Sequence, residues 1–305
     1  MTAMHAIGVD LGGTKILAGV VTREGEILRR HERPTPQHSQ EQVVFELETA
    51  VRELLDDEIC AIGFGVPSRV VQKRGLVVDT VNVELKNIEL RPLMNDRFGL
   101  PIGLDNDANA ATIAEWRVGA GRGVDDLVML TLGTGLGGGV IANGRPFRGA
   151  TGAGVELGHV VIVHDGRPCQ GTCTGRGHLE PYVTGLAATV AAQEAFGPAV
   201  DAHRLVRLAN EGDARAREIL AEIGGYLGSG MGSFANIFEP ALIVIGGGFG
   251  VPAWEHLIPR AEEVMRREAL QPMREEVKVV RAELGTSAGL IGAGFVAFEA
   301  FDSTG

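Results

Sequence analysis

The sequence predicts an α/β protein made of two similar lobes, and two repeated patterns carry this prediction. A strand that runs into glycines and is followed by a second strand occurs at residues 6–21 (AIGVDLGGTKILAGVV) and again at 126–144 (DLVMLTLGTGLGGGVIANG). A buried strand that ends in a glycine-containing turn occurs at 60–68 (CAIGFGVPS) and again at 241–250 (ALIVIGGGFG). Because both patterns recur in the same order, we expect two copies of one α/β unit.

The second copy contains an insertion. Its glycines Gly133 and Gly247 are separated by roughly sixty more residues than the matching Gly12 and Gly65 of the first copy. The extra residues fall at about 145–200, a stretch that holds two of the three cysteines and three of the eight histidines.

The repeats also predict the domains. We predict an N-terminal α/β lobe over residues 1–112, completed by a C-terminal helix at 288–305, and a C-terminal α/β lobe over 113–287. Two similar lobes imply a cleft between them, which is the usual location of a small-molecule site.

The remaining elements follow from hydrophobic periodicity. Apolar residues alternate through the strands at 5–29, and they recur every three or four positions in the segment 41–56, which predicts an amphipathic helix. The same spacing, or a high content of helix-forming residues, predicts further helices at 107–118, 180–195, 213–237, 252–269 and 286–301.

Composition excludes several classes of protein. The 305 residues carry a net charge of −11 and form no dense basic cluster, which argues against a nucleic-acid binder. Three cysteines do not make a disulfide framework, and Cys60 lies in an apolar run typical of a buried strand. The N-terminus lacks the pattern of a signal peptide and no apolar stretch is long enough to span a bilayer, so we expect a cytoplasmic protein.

The motif DLGGTK, at residues 10–15, predicts a phosphate-binding turn. Consecutive glycines between two strands leave backbone N–H groups accessible to an anion, and a hydroxyl donor and a cation follow them. The carboxylate at the start of the motif is suited to hold Mg²⁺. The residues proposed for these roles are Asp10, Gly12, Gly13, Thr14 and Lys15.

Two later glycine-rich segments predict the rest of a nucleotide site. LGTGLGGG, at 132–139, has too many glycines for a single turn, and IGGGFG, at 245–250, lies between a strand and a helix. The second segment does not fit the dinucleotide-binding pattern GxGxxG. The proposed cofactor-binding residues are Gly133, Thr134, Gly135, Gly246, Gly247 and Gly248.

The segment LDNDANAATIAEW, at 104–116, places Asn106 and Asp107 where a strand gives way to a helix. A helix N-cap explains one such residue but not the whole cluster. A carboxylate at a helix N-terminus stays ionised and can accept a proton from a hydroxyl group. Together with phosphate-binding turns, this predicts phosphoryl transfer to a sugar hydroxyl.

The stretch GVELGHVVIVHDGRPCQGTCTGRGHLE, at 154–180, predicts a structural zinc site. Two thiolates and two imidazoles, from His159, Cys169, Cys173 and His178, satisfy a tetrahedral ion without an open position. His164 is a competing ligand of lower rank. The spacing does not match a nucleic-acid-binding finger. Because Glu156 and Glu180 flank the ligands, the metal would fix a loop that carries two sugar-binding carboxylates.

Taken in chain order, these motifs resemble those of the ROK family of sugar kinases and regulators, within the actin-like ATPase superfamily. The resemblance covers nearly the whole chain and rests on DLGGTK, GVPS, DNDANAA, LGTGLGGG, ELGH, GHLE and IGGG. It implies two actin-like (ribonuclease H-like) lobes and a glucokinase-type enzyme that uses ATP and Mg²⁺. It also suggests a homodimer or homotetramer.

The resemblance assigns roles residue by residue. Asp107 matches the family's catalytic base, and the sugar contacts are Asn82, Asn106, Asp107, Glu156, His159 and Glu180. His159 would then bind zinc and sugar through different nitrogens. Three departures bear on the pocket and the metal. Ser68 and Val155 stand where glycine is usual, and the zinc motif has Gly171 and His178 at cysteine positions, so that Cys169 must substitute.

Alternatives concern both the substrate and the class of protein. Mannose, fructose, N-acetylglucosamine or N-acetylmannosamine are possible acceptors in place of glucose. A sugar-responsive transcriptional regulator is disfavoured, because the first phosphate motif begins at residue 10 and leaves no room for a preceding helix-turn-helix. A non-catalytic sugar-binding protein is disfavoured by the paired phosphate motifs.

Overall fold

The chain forms two compact units in the computed structural model, which describes residues 4–80 and 82–304. The first unit consists of Met1–Gly123, Pro146–Val155 and Leu284–Gly305, and the second of Val124–Arg145 and Glu156–Glu283.

The first unit begins with alternating strands and helices. In chain order these are β1 (His5–Leu11), β2 (Lys15–Val21), β3 (Ile27–Pro34), α1 (Gln40–Arg52), β4 (Ile59–Val66), β5 (Ser68–Val71), β6 (Leu76–Thr80), β7 (Ile88–Glu89), α2 (Leu90–Phe98), β8 (Ile102–Asn106) and α3 (Asp107–Val118).

Five of these strands form one sheet in the order β3-β2-β1-β4-β8. β1 is antiparallel to β2 and parallel to β4, and β4 is parallel to β8. Asp10, Gly65 and Asp105 are neighbours in register across β1, β4 and β8. The carboxyl ends of three parallel strands therefore meet at one edge of the sheet, where ligands of open α/β sheets bind.

The second unit repeats this arrangement. Its elements are β9 (Leu127–Leu132), β10 (Leu136–Ala142), β11 (Arg145–Pro146), α4 (Glu180–Val183), α5 (Gly185–Phe196), α6 (Ala202–Asn210), α7 (Ala214–Phe238), β12 (Leu242–Gly246), α8 (Trp254–Glu268), α9 (Met273–Glu276) and β13 (Lys278–Arg281). The sheet order is β11-β10-β9-β12-β13, again with an antiparallel pair beside parallel strands. The predicted strand–turn–strand pattern is thus confirmed at both glycine turns.

The final helix, α10 (Ala288–Asp302), lies directly on the first sheet because three strands carry glycine beneath it. Gly8, Gly63 and Gly103 are neighbours in register on β1, β4 and β8. A Cβ atom on any of them would overlap a backbone carbonyl oxygen of α10, with Ala293 opposite Gly63. The absent side chains let the helix backbone approach the sheet.

Two details differ from the sequence analysis. The predicted helix at 180–195 is two helices, because Thr184 is extended and fully buried and its side chain caps α5 by accepting from the Ala187 N–H. The predicted lobe boundary at 112/113 falls inside α3, whereas the units of the structure change after that helix, at Gly123.

Within residues 4–80 and 82–304, none of the helices combines the length and the apolar character that a membrane crossing would need.

Candidate active site

Residues 12–14 form the turn between β1 and β2. Hydrogen bonds from the side chains of Thr35 and Gln37, which follow β3, fix two carbonyl groups of this turn. The Thr35 hydroxyl donates to the Gly12 carbonyl oxygen over 2.7 Å, and the Gln37 amide donates to that of Gly13 over 2.8 Å. The N–H groups of Gly13 and Thr14 donate to no residue in the part of the chain that the structure describes. A fixed turn with available N–H groups suits an anion.

Lys15 does not point its ammonium group into this turn. Its Nζ donates to the Glu32 carboxylate at 2.8 Å, and both side chains are about half exposed. An exposed ion pair of this kind contributes roughly 0–1 kcal/mol. A phosphate at the turn can therefore draw Lys15 away from Glu32 at little cost.

Asp10, the last residue but one of β1, lies in a crowded position. A Cβ atom on Gly289, in the first turn of α10, would overlap the Asp10 carboxyl group. A Cβ atom on Gly65 would lie 3.9 Å from the Asp10 Oδ1 atom and 3.7 Å from the Asp107 Cα atom. Burial raises the pKa of Asp10 to about 6, against a smaller lowering by Lys15. A divalent cation would favour the ionised form of such a carboxyl group.

Asn106 and Asp107 mark the start of α3. The Asn106 Oδ1 accepts the N–H groups of Ala108 (2.9 Å) and Asn109 (3.1 Å), so Asn106 is the N-cap. Its Nδ2 donates to the Ser68 carbonyl oxygen at 3.3 Å. Asp107 is the first helical residue, where the helix dipole stabilises an ionised carboxylate.

Asn82 lies beside the first glycine turn. It is exposed, and a Cβ atom on Gly13 would lie 3.2 Å from its own Cβ. The first unit therefore brings Asn82, the turn, Asp10 and Asp107 to the carboxyl edge of its sheet.

In the second unit, residues 133–135 form the corresponding turn between β9 and β10. The Gly133 N–H donates to the Gly135 carbonyl oxygen at 2.9 Å, and the Gly133 carbonyl accepts the N–H of Gly185, the first residue of α5, at 2.8 Å. The N–H groups of Thr134 and Gly135 donate to none of the described residues. This turn has the same capacity for an anion as the first one.

Glu180, the first residue of α4, lies against this turn. Its Oε2 accepts the N–H of Leu136 at 2.9 Å, and a Cβ atom on Gly135 would lie 3.0 Å from the same oxygen. The hydrogen bond fixes the carboxylate next to the glycine turn.

Glu156 and His159 lie at the two ends of a short turn beside Glu180. Glu156 is exposed and precedes the 3-10 turn Leu157–His159. A Cβ atom on Gly158 would lie 2.7 Å from the Leu136 carbonyl oxygen and 3.4 Å from the Glu180 Cβ. Glycine at this position lets the turn pack closely against β10.

The third glycine segment adjoins the end of β9. Gly247 has φ +91°, and a Cβ atom there would overlap the Leu132 carbonyl oxygen. That oxygen accepts the N–H groups of Phe249 (2.9 Å) and Gly250 (3.1 Å). Residues 246–248 are thus held next to the turn at 133–135.

The four predicted zinc ligands come together in the second unit. One ligand atom from each of His159, Cys169, Cys173 and His178 lies within 4.8 Å of all the others. The Nδ1 atoms of the two histidines are 3.1 Å apart. The Cys169 Sγ atom lies 3.5 Å from the His159 Nδ1 atom, and the Cys173 Sγ atom lies 3.6 Å from the His178 Nδ1 atom. Ligand atoms around a tetrahedral zinc ion lie roughly 3.3–3.8 Å from one another, so the donor set fits zinc. His164 is almost fully exposed and faces Asp165.

Gly175 organises the cysteine loop. Its carbonyl oxygen accepts the Cys169 N–H at 2.9 Å, and its own N–H donates to Cys173 Sγ at 3.4 Å. The His178 ring occupies the space that a side chain on Gly175 would fill. Burial, and after it the neighbouring Cys173, raises the pKa of the Cys169 thiol to about 11. A zinc ion would reverse this effect, since a coordinating thiol is deprotonated.

Several residues that shape these groups are not recognisable from the sequence. Thr35, Gln37 and Gly175 act through backbone hydrogen bonds, which leave no signal in composition or spacing. Val155 departs from the family's glycine yet keeps a left-handed backbone, with φ +67°.

Similarity to known proteins extends over nearly the whole chain. Residues 6–299 match the model of the ROK family. The glucokinase of Streptomyces coelicolor is 35% identical over 311 residues, covering 96% of this chain and 97% of that protein.

Solved structures extend the similarity to the fold. A ROK family glucokinase from Streptomyces griseus, in complex with glucose and AMPPNP, is 34% identical with a TM-score of 0.83, covering 97% of this chain and 99% of that one. A ROK family transcriptional regulator, a homologue of the E. coli MLC protein, is 26% identical with a TM-score of 0.86, covering 98% of this chain and 79% of that one. By its sequence and its fold, the chain belongs to the ROK family.

Proposed function

We propose that this protein is an ATP- and Mg²⁺-dependent hexose kinase that phosphorylates the 6-hydroxyl of glucose, with Asp107 as the general base. Full-length similarity to glucokinases makes the chain an ATP-dependent sugar kinase. The choice of glucose, the base and the metal ions are the finer parts of the proposal. The observation that carries the choice of base is the location of Asp107 at the first position of α3, and the choice of glucose is supported by the similarity to glucokinases.

In the proposed reaction, the ionised Asp107 carboxylate takes the proton of the sugar hydroxyl. The hydroxyl oxygen forms a bond to the γ-phosphorus of ATP, and the bond between that phosphorus and its bridging oxygen breaks, which leaves ADP. Because this chemistry depends mainly on alignment and charge neutralisation, one base and fixed donors suffice.

The glycine turns supply the proposed phosphate donors. The N–H groups of Gly13, Thr14, Thr134 and Gly135 have no acceptor among the described residues and are available to phosphate oxygens. Asp10 is the residue proposed to hold Mg²⁺, which would neutralise phosphate charge when bound. The segment at 246–248 is proposed for the nucleoside.

The proposed sugar contacts are Asn82, Asn106, Asp107, Glu156, His159 and Glu180. The cap hydrogen bonds fix the orientation of the Asn106 amide, and the Leu136 N–H occupies only one oxygen of Glu180. The Nδ1 atom of His159 faces the cysteine–histidine cluster, so its Nε2 is the atom proposed for a sugar hydroxyl. Zinc at the cluster would fix the loop between Glu156 and Glu180.

Because the reaction consumes ATP, we place the protein in the cytoplasm.

A coupled assay across a panel of hexoses, with ATP and Mg²⁺, tests the proposal. We expect the highest kcat/KM with glucose, and mannose, fructose, N-acetylglucosamine and N-acetylmannosamine as weaker substrates. A higher value for one of these would reassign the substrate. No turnover with any hexose would reject the proposed kinase activity. It would favour the alternative function of a sugar-responsive regulator, since a ROK family transcriptional regulator is among the similar structures.

A further inference from the structure

Asp105 is a fully buried carboxylate two residues before Asp107. It accepts the Asn106 N–H (2.8 Å), the Asn109 Nδ2 (3.0 Å) and the Arg148 Nε (2.6 Å). It therefore holds the end of β8 and the first turn of α3 together, on either side of Asp107.

Arg148 joins this carboxylate to a second one. Its Nη2 donates to Glu299 of α10 at 2.7 Å, while its Nε is bonded to Asp105. Burial alone would lower the pKa of Arg148, but the attraction of Asp105 and Glu299 outweighs burial and raises it. A planar guanidinium group reaches two carboxylates in a fixed geometry that a lysine cannot reproduce.

Arg148 also begins a closed loop that leads to Glu156. Its carbonyl oxygen accepts the Gly154 N–H at 3.1 Å, and the Thr151 carbonyl accepts the Gln72 N–H at 2.8 Å. The loop therefore belongs to the first unit, and the chain continues from it through one residue to Glu156.

We propose that Arg148 is a positioning residue for phosphoryl transfer, which orients Asp107 through Asp105 and anchors the loop that precedes Glu156. This inference rests on the proposed kinase activity. Displacement of a reacting group by about 1 Å costs on the order of 10²-fold in rate, so loss of the guanidinium fork lowers kcat even when the protein stays folded.

The test uses Arg148→Lys, which keeps the charge, and a double-mutant cycle of Asp105→Asn with Arg148→Met. The double variant removes both charges of the buried Arg148–Asp105 pair, so neither is left buried without the other. A thermal melt checks that each variant stays folded. We expect Arg148→Lys to lower kcat at least tenfold with an unchanged KM for ATP. In the cycle, we expect the double variant to have a kcat no lower than that of the slower single variant. The reason is that the two substitutions remove the same contact between Asp105 and Arg148.

The matched control is Arg23→Met. Arg23 is bonded to Asp302, in the same last turn of α10 as Glu299 but on the exposed surface. Its loss should leave kcat within about twofold of the wild type, as for a surface ion pair. Additive effects in the cycle, or a wild-type kcat for Arg148→Lys, would overturn the inference.

Hydrogen exchange separates this inference from the proposed function. We expect faster amide exchange at residues 106–109 and 149–156 in Arg148→Lys than in the wild type. Unchanged exchange there overturns the inference whatever the activity of the wild-type protein. A wild type that phosphorylates no hexose rejects the proposed function, and faster exchange in the variant would then show only that Arg148 holds these two segments in place.

Discussion

The Nδ1 atoms of His159 and His178 lie 3.1 Å apart and face the same point as the thiols of Cys169 and Cys173. Of these four proposed ligands, Cys169 and His178 are the two that depart from the cysteine pattern expected from the family resemblance. The four groups nonetheless converge within 4.8 Å. Four candidate ligands come together here because the loop from Cys169 to His178 folds around Gly175.

Purified protein should contain about one zinc ion per chain, because four ligands close a tetrahedral shell. Cys169→Ala should lose most of this zinc, as measured by elemental analysis after dialysis. Cys60→Ala is the matched control, since Cys60 is buried in β4 and lies outside the cluster. An unchanged zinc content in Cys169→Ala would exclude Cys169 as a ligand.

Gly175→Ala should weaken zinc binding while all four ligands remain. The added methyl group overlaps the His178 ring, which must then move out of the position it takes toward the cluster. Competition with a chromophoric chelator should show at least a tenfold lower affinity, as is typical when a residue that orients a ligand is changed. Equal affinity would mean that the His178 ring is not the fourth ligand.

The local pattern of the sequence predicted the strand–turn–strand units, because Gly12-Gly13 and Gly133–Gly135 interrupt runs of alternating apolar residues. It did not predict the contact of Gly8, Gly63 and Gly103 with α10. That contact depends on the register of three strands that are distant in the chain.

The same limit applies to the candidate site. Asp10, Asp107 and the cysteine–histidine cluster were found because each lies in a recognisable motif. Arg148 lies in the segment RPFRGATG, where nothing distinguishes it from a surface arginine. Only the fold brings it to Asp105 and Glu299.

Asp10→Asn should stabilise the Mg²⁺-free protein at neutral pH while it abolishes turnover. A pKa raised from 3.8 to about 6 corresponds to at most roughly 3 kcal/mol of destabilisation by the ionised carboxylate. Well below pH 3.8 Asp10 is protonated in both the folded and the unfolded state, so the penalty is absent there. It grows as pH rises from about 3 to 6 and stays constant above.

Thermal melts of the wild type and Asp10→Asn from about pH 3 to pH 8 measure this effect. The difference in Tm should be smallest at the acid end and reach its full value above pH 6. A variant that is equally stable, or less stable, at pH 7 would contradict the raised pKa.

Gly63→Ala should destabilise the protein by 2 kcal/mol or more, since its methyl group would overlap the Ala293 carbonyl oxygen and push α10 off the sheet. Gly225→Ala on α7 is the matched control. Its nearest contact would lie 3.9 Å away, so it should gain up to about 1 kcal/mol of helix propensity. Urea unfolding compares the two variants, and a neutral Gly63→Ala would mean that α10 packs less closely.

Val155→Gly should raise stability by up to about 1 kcal/mol. Val155 has φ +67°, a conformation that costs a residue with a Cβ atom roughly 1–2 kcal/mol, and the greater freedom of unfolded glycine offsets part of the gain. Val190→Gly, at an exposed position of α5, is the control and should lose stability. A loss in Val155→Gly as large as in the control would show that the valine side chain makes stabilising contacts.

The most direct test of the kinase mechanism is a single-turnover measurement of glucose phosphorylation with Asp107→Asn. The asparagine has nearly the same shape but cannot take the proton of the sugar hydroxyl. We predict that the variant binds glucose with near wild-type affinity and forms glucose 6-phosphate roughly 10²–10⁴-fold more slowly. A rate within a few-fold of the wild type would contradict the role of Asp107 as the base.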